Sequence, residues 1–115
     1  MKDSFGSIKI FGKTYKKDII IHVNGSIIKR NKKKSRDLKP LYGHTPLSEK
    51  ELDFLYEEKP EIVYVGIGYE SALPITAEAQ KILGEYKTFV IPTLEIVEKI
   101  EGEKRKFAAI IHVTC

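Results

Sequence analysis

The sequence predicts an α/β fold: a mixed central sheet with three C-terminal parallel strands joined by two crossover helices, an N-terminal antiparallel β layer, and one further helix. Three observations carry this prediction. Glu61-Ile-Val-Tyr-Val-Gly-Ile-Gly68 is a run of β-branched and aromatic residues long enough for one buried strand, closed by two glycines. Two further strand candidates, 88 to 91 and 106 to 113, follow it. Each gap between the three holds a helical pattern, which is how parallel strands are joined.

In chain order, Ser7-Ile-Lys-Ile-Phe11 alternates polar and apolar, and Asp18-Ile-Ile-Ile-His-Val23 follows Gly12-Lys-Thr-Tyr15, so the opening is expected to form a hairpin. Asn24-Gly25 suits a type I′ turn and predicts that Ser26-Ile-Ile-Lys29 folds back as a third antiparallel strand. Residues 30 to 46 read as a loop. Ser48 with Glu51 has the spacing of a capping box, and Leu47 with Leu52 that of a hydrophobic staple. A helix from Glu49 to Glu58 is expected, with Leu52, Leu55 and Tyr56 on its apolar side and Pro60 stopping it.

Beyond the central strand, Thr76 is the expected N-cap of a helix with Ala79, Ile82, Leu83 and Tyr86 on one face. Thr88-Phe-Val-Ile91 is expected as an inner strand. Thr93 should cap a second crossover helix that turns Leu94, Val97 and Ile100 to the sheet. The last strand, Phe107 to Val113, is nearly all apolar, as a strand covered on both faces should be.

A chain of 115 residues reads as a single domain, 1–115, with room for one core. Its one cysteine, Cys115, excludes an internal disulfide and points to a reducing, cytoplasmic setting. No signal core or apolar run long enough to span a membrane occurs. Richness in Lys, Glu and Ile with one Gln and two Asn follows the hyperthermophile trend, as an archaeal source would. The net charge of +4 is unevenly placed. Residues 29 to 39 hold seven Lys/Arg and one Asp, so the remainder, with thirteen basic and fifteen acidic residues, is slightly acidic.

Parallel crossovers bring the carboxyl ends of three strands to one edge, where open α/β sheets bind ligands. The pattern delivers Gly66, Gly68, Tyr69 and Glu70 there, with Thr93, His112 and Cys115. Helices starting near Thr76 and Thr93 would aim free N–H groups at the same edge and favour an anion, with the Cys115 carboxylate as a candidate occupant. The plainer alternative is that the glycines make a tight turn and His112 is a satisfied core residue. Gly66-Ile-Gly68 lacks the third glycine and the direct entry into a helix that a dinucleotide site needs, so no nucleotide cofactor is expected. His22, His44 and His112 have no metal-ligand spacing, and no metal is assigned. The basic patch of Lys29, Arg30, Lys32, Lys33, Lys34 and Arg36, with Tyr42 available to stack, is a weaker candidate for nucleic acid, because lysine-rich loops are usually solvated surface.

Gly66-Ile-Gly-Tyr-Glu-Ser-Ala-Leu73, Ile91-Pro-Thr93 and the ending Ala108-Ala-Ile-Ile-His-Val-Thr-Cys115 together resemble the archaeal and bacterial proteins related to the adipogenesis-associated domain protein and the mitochondrial complex I assembly factor of the same fold. The resemblance implies one α/β domain with no established enzymatic activity and maps family positions onto Gly66, Gly68, Leu73, Pro92, Thr93, His112, Thr114 and Cys115. The chain departs from that pattern at Glu70 and Ser71, where glycine is common, and in the lysine run, where many members carry Trp. The expected function is a non-enzymatic binding or assembly module that presents the shared strand edge to a protein or a small anionic ligand. The alternative is a small-molecule enzyme acting on an anionic substrate there through Glu70, His112 or Cys115.

Overall fold

The structure, a computed structural model, describes residues 6–114. Its elements are β1 (Ile8–Ile10), β2 (Lys13–Tyr15), β3 (Ile19–Ile21), β4 (Ile27–Lys29), α1 (Lys39–Tyr42), α2 (Asp53–Glu58), β5 (Ile62–Ile67), α3 (Ala77–Leu83), β6 (Lys87–Ile91), α4 (Thr93–Glu101) and β7 (Phe107–His112). Five strands form one mixed sheet in the order β4-β3-β7-β5-β6, and β1 with β2 forms a separate antiparallel pair. The parallel trio is as expected: β5 runs parallel to both β6 and β7.

The connection through α3 leaves β5 in one direction, and the connection through α4 returns across β5 to reach β7. Right-handed crossovers that travel in opposite directions put their helices on opposite faces. The cores show this. Ile62 and Tyr64 of β5 pack with Ile96 and Ile100 of α4 and with Ile8 and Ile10 of the small hairpin. Val63 and Val65, pointing the other way along the same strand, pack with Ala79 and Leu83 of α3 and with Leu47, Leu52 and Leu55. β7, covered on both faces, is the buried strand its composition predicts.

Several local expectations are corrected. The first hairpin pairs β1 with β2, not with β3, and its two-residue turn is Phe11-Gly12, where φ is 52° and 79°. Both turn residues at positive φ is the type I′ signature expected instead at Asn24-Gly25. There the loop has three residues. His22 pairs with Ser26, the Gly25 N–H closes on the His22 carbonyl at 2.9 Å, and only Gly25 has positive φ, so the connection is a turn followed by a glycine bulge. β3 and β4 then extend the main sheet rather than standing apart from it.

β6 is an edge strand rather than an inner one, with Phe89 37% and Val90 46% exposed. Leu94 is 67% exposed, and Ile96 takes the core position assigned to it. Tyr56 is exposed while Phe54 packs inward. The region read as one loop holds two 3-10 turns, Lys32–Lys34 and Arg36–Leu38, and the short α1. The helix expected from Glu49 begins as a separate 3-10 turn, Glu49–Glu51, with Ser48 accepting from the Lys50 N–H. Glu51 does not return to Ser48 as a capping box would. Thr76 caps α3 as expected, its hydroxyl accepting from the Ala79 N–H at 3.1 Å.

Candidate functional site: a basic cleft beside a buried ionic network

The strand edge nominated from sequence exists, and its residues are joined to one another. The Gly68 N–H donates to Thr93 Oγ1 at 2.8 Å, and that hydroxyl donates to the His112 carbonyl at 2.6 Å. The Thr93 N–H reaches the Gly68 carbonyl, and the Tyr69 N–H reaches the Thr114 carbonyl. Thr93 is therefore not the cap of α4. It is fully buried and stitches the ends of β5 and β7 to the start of the helix. Gly66 lies beneath it, where a Cβ would sit 3.0 Å from Thr93 Oγ1 and 3.2 Å from Ile96 Cδ1. That close approach is what requires glycine there. At Gly68 the reason is a φ of 101°.

The amide at the start of α4 is thus engaged and not free for a ligand. The Tyr69 hydroxyl donates to the Ser7 carbonyl, Glu70 is exposed, and Cys115 lies outside the described residues.

His112 leads to a second cluster that the sequence did not reveal. Its Nδ1 is 2.8 Å from Asp18 Oδ2, and its Nε2 is 3.1 Å from Thr114 Oγ1. Asp18 also accepts from the Val113 N–H at 2.9 Å and from Arg30 Nη1 at 2.9 Å. Arg30 is only 2% exposed and uses its planar fork fully: Nε and Nη2 hold Glu51 at 2.6 and 2.9 Å, and Nη2 also donates to the Pro46 carbonyl. Ser35 donates to Glu51 and is hydrogen-bonded to Ser48, both serines being fully buried. Among the described residues no buried side-chain nitrogen or oxygen is left without a partner.

Burial opposes the Arg30 charge, but Glu51 and then Asp18 more than offset it, so the guanidinium holds its proton more firmly than usual. Burial likewise pushes the Asp18 carboxyl up, and the His112 hydrogen bond and charge, the Val113 N–H and Lys32 together outweigh it. The carboxyl is held well below its ordinary range.

Arg30 and Asp18 of this network form the floor of a cleft of about 610 Å³ at the carboxyl end of β7. Lys16 and Lys17 border it from the turn into β3, Lys29 from the end of β4, and Lys32, Lys33 and Arg36 from the two 3-10 turns. Arg30, Asp18, Val113 and Thr114 complete it with Asn31. Among the described residues, seven cationic side chains thus face one carboxylate. Lys32 reaches that carboxylate at 3.6 Å, while Lys16, Lys17, Lys29, Lys33 and Arg36 make no ion pair among the described residues.

The expected basic patch is therefore divided. Arg30 is a buried structural residue, Lys34 is exposed away from the cleft, and the other four members surround it. Lys16 and Lys17 were missed, although pairing of Ile19 with Lys29 across the hairpin already places them opposite the lysine run. Asp18 and Ser35 carried no local signal, and the spacing of Glu51 pointed to a capping box rather than to Arg30. His22, by contrast, is tied to the neighbouring helix: its Nδ1 is 2.5 Å from Glu58, which also accepts from the Val23 N–H. No group of three or more His, Cys, Asp or Glu among the described residues is arranged to hold a metal ion, and no described helix is long and apolar enough to cross a membrane.

The molecule is an α/β protein with a mixed sheet and a cationic cleft at one strand edge. Its fold matches the conserved hypothetical protein PH1505 from Pyrococcus horikoshii OT3, with a TM-score of 0.81 and 32% identity over 96% of this chain and 94% of that one. A second solved structure, MT938, matches with a TM-score of 0.76 and 36% identity, covering 96% and 93% of the two chains. The chain belongs to the family of these conserved hypothetical proteins. No protein-family model and no curated protein matches it.

Proposed function

We propose that the protein is a non-enzymatic binding module whose ligand is anionic and sits in the cleft over Asp18 and Arg30. The observation that carries this is the gathering of seven cationic side chains around one concavity, five of them without a carboxylate partner among the described residues, on a chain whose remainder is slightly acidic. Like charges held together raise the energy of the folded state unless a counter-charge offsets them. The cleft also lies at the carboxyl end of a sheet strand, where ligands of open α/β folds gather. The resemblance to the adipogenesis-associated family favours binding or assembly over catalysis.

One observation favours a second reading, an enzyme acting on an anionic substrate. Asp18, His112 and Thr114 are hydrogen-bonded in series, the order in which a carboxylate orients an imidazole toward a hydroxyl.

Both readings share a first test. Urea unfolding in sodium phosphate and in sodium chloride at equal ionic strength should show stabilisation by phosphate, and the gain should shrink when Lys29, Lys33 and Arg36 are replaced by Gln. Equal stability in the two salts would remove the anion site. A bound phosphate ester recovered unchanged supports the module, and its turnover supports the enzyme.

A further inference from the structure

Resting on that anion-binding reading, we infer that the ligand is a compact polyphosphate-type anion recognised by its charge alone, with no base or other aromatic group contributing to affinity. Three features of the cleft lead there. First, no aromatic side chain among the described residues lines it. Nucleotide bases and single-stranded nucleic acids draw much of their affinity from stacking on such groups. Tyr42, the residue nearest the lysine run with that capacity, is not part of the wall.

Second, the groups left to meet a ligand are nearly all ammonium ions. Of the two guanidinium groups at the site, Arg30 is occupied by Glu51, Asp18 and the Pro46 carbonyl, which leaves Arg36 as one planar fork among five lysines. Lysines act as point charges on flexible stems, so they respond to charge density rather than to the planar geometry that an arginine fork reads. Third, the cleft's volume of about 610 Å³ exceeds what one phosphate fills, and its cations come from two separate segments of chain, residues 16–17 and 29–36. A ligand with several linked phosphates is long enough to meet both segments at once, whereas a single phosphate is held by fewer of these cations.

The consequence is an order of affinity. Orthophosphate should bind weakest and pyrophosphate more tightly, with tripolyphosphate tightest, each step amounting to about tenfold at low salt and less as salt is raised. ATP, which adds a base and a ribose to the same phosphate chain, should bind no more tightly than tripolyphosphate. Titration calorimetry of the full chain with these four ligands, with poly-L-glutamate and with a single-stranded oligonucleotide tests this. The Lys29→Gln/Lys33→Gln variant should lose about tenfold in tripolyphosphate affinity. Lys81→Gln/Lys99→Gln, which removes the same charge from exposed positions outside the cleft, should match the wild type.

ATP or the oligonucleotide binding about tenfold tighter than tripolyphosphate would overturn the inference, because stacking would then contribute. Poly-L-glutamate binding without tripolyphosphate binding would overturn it as well, while leaving the anion-binding reading in place. Silence from all six ligands would remove both.

Discussion

Arg30→Ala is expected to destabilise the protein by about 3–5 kcal/mol, because it leaves the buried Glu51 carboxylate without its cation and Asp18 with only the more distant Lys32. In a chain of this size that loss lowers the melting temperature by roughly 12–20 °C. The intact network need not contribute much net stability, since removing its ions from water offsets their mutual attraction. Breaking it is another matter. Among the described residues Glu51 would keep only its bond from Ser35, and Asp18 would keep His112, Val113 and Lys32 at 3.6 Å, both carboxylates lying in surroundings that solvate a charge poorly.

Arg30→Lys should fall between the two states, since an ammonium keeps the charge but cannot serve Nε, Nη1 and Nη2 partners together. Urea unfolding of the three proteins checks this. A cost below about 1 kcal/mol for Arg30→Ala would mean that the carboxylates reach water and that the floor of the cleft is not dry. The same substitution should weaken anion binding. Arg30 joins the end of β4 to Pro46 and to the turn carrying Glu51, and so positions the lysines on either side of it.

Acid should destabilise the protein through Asp18. The carboxyl's folded-state pKa is depressed below its unfolded value of about 3.9, so its contribution is fully present above that value and is lost as pH falls from there toward the folded pKa. The loss is about 1.4 kcal/mol for each pH unit traversed. Asp18→Asn should be less stable than the wild type at pH 7, because Arg30 and His112 lose a charged partner, and its stability should fall less steeply below pH 4. Urea midpoints measured from pH 6 to pH 2 report both effects. Parallel declines in the two proteins would assign the acid sensitivity to other carboxylates. Glu103 is the first of these, its carboxyl held down to about 2 by Arg105 and the Tyr64 hydroxyl.

The parallel trio was legible because its strands announce themselves locally: Ile62 to Val65 and Phe107 to Ile111 are unbroken runs of apolar and aromatic residues, and Thr76 fits the cap its neighbours require. Strand order was not legible. Nothing within Thr88-Phe-Val-Ile91 separates an inner strand from an edge strand, and only the return of the chain across β5 leaves β6 outermost. The turns failed for a similar reason. Asn24-Gly25 has the composition of a type I′ turn, yet the register of β3 and β4 leaves three residues in that loop.

The site was half legible. Gly66, Gly68, Thr93 and His112 do meet at one edge, but the residues that meet there satisfy one another and leave little for a ligand. The ionic network was invisible because its members are 12, 21 and 94 positions apart. An arginine inside a lysine run gives no sign that it alone turns inward. Lys29, Lys32, Lys33 and Arg36 were singled out by charge, and the backbone folds that charge around a concave cleft rather than across an open surface.

The most direct measurement is a titration of the isotopically labelled protein with sodium tripolyphosphate, followed by backbone amide chemical shifts. The largest changes are expected at Lys16, Lys17 and Asp18, across Lys29 to Arg36, and at Val113 and Thr114. Changes centred instead on Gly66 to Glu70 and Leu94, or no saturable change anywhere, would contradict a ligand site in the basic cleft.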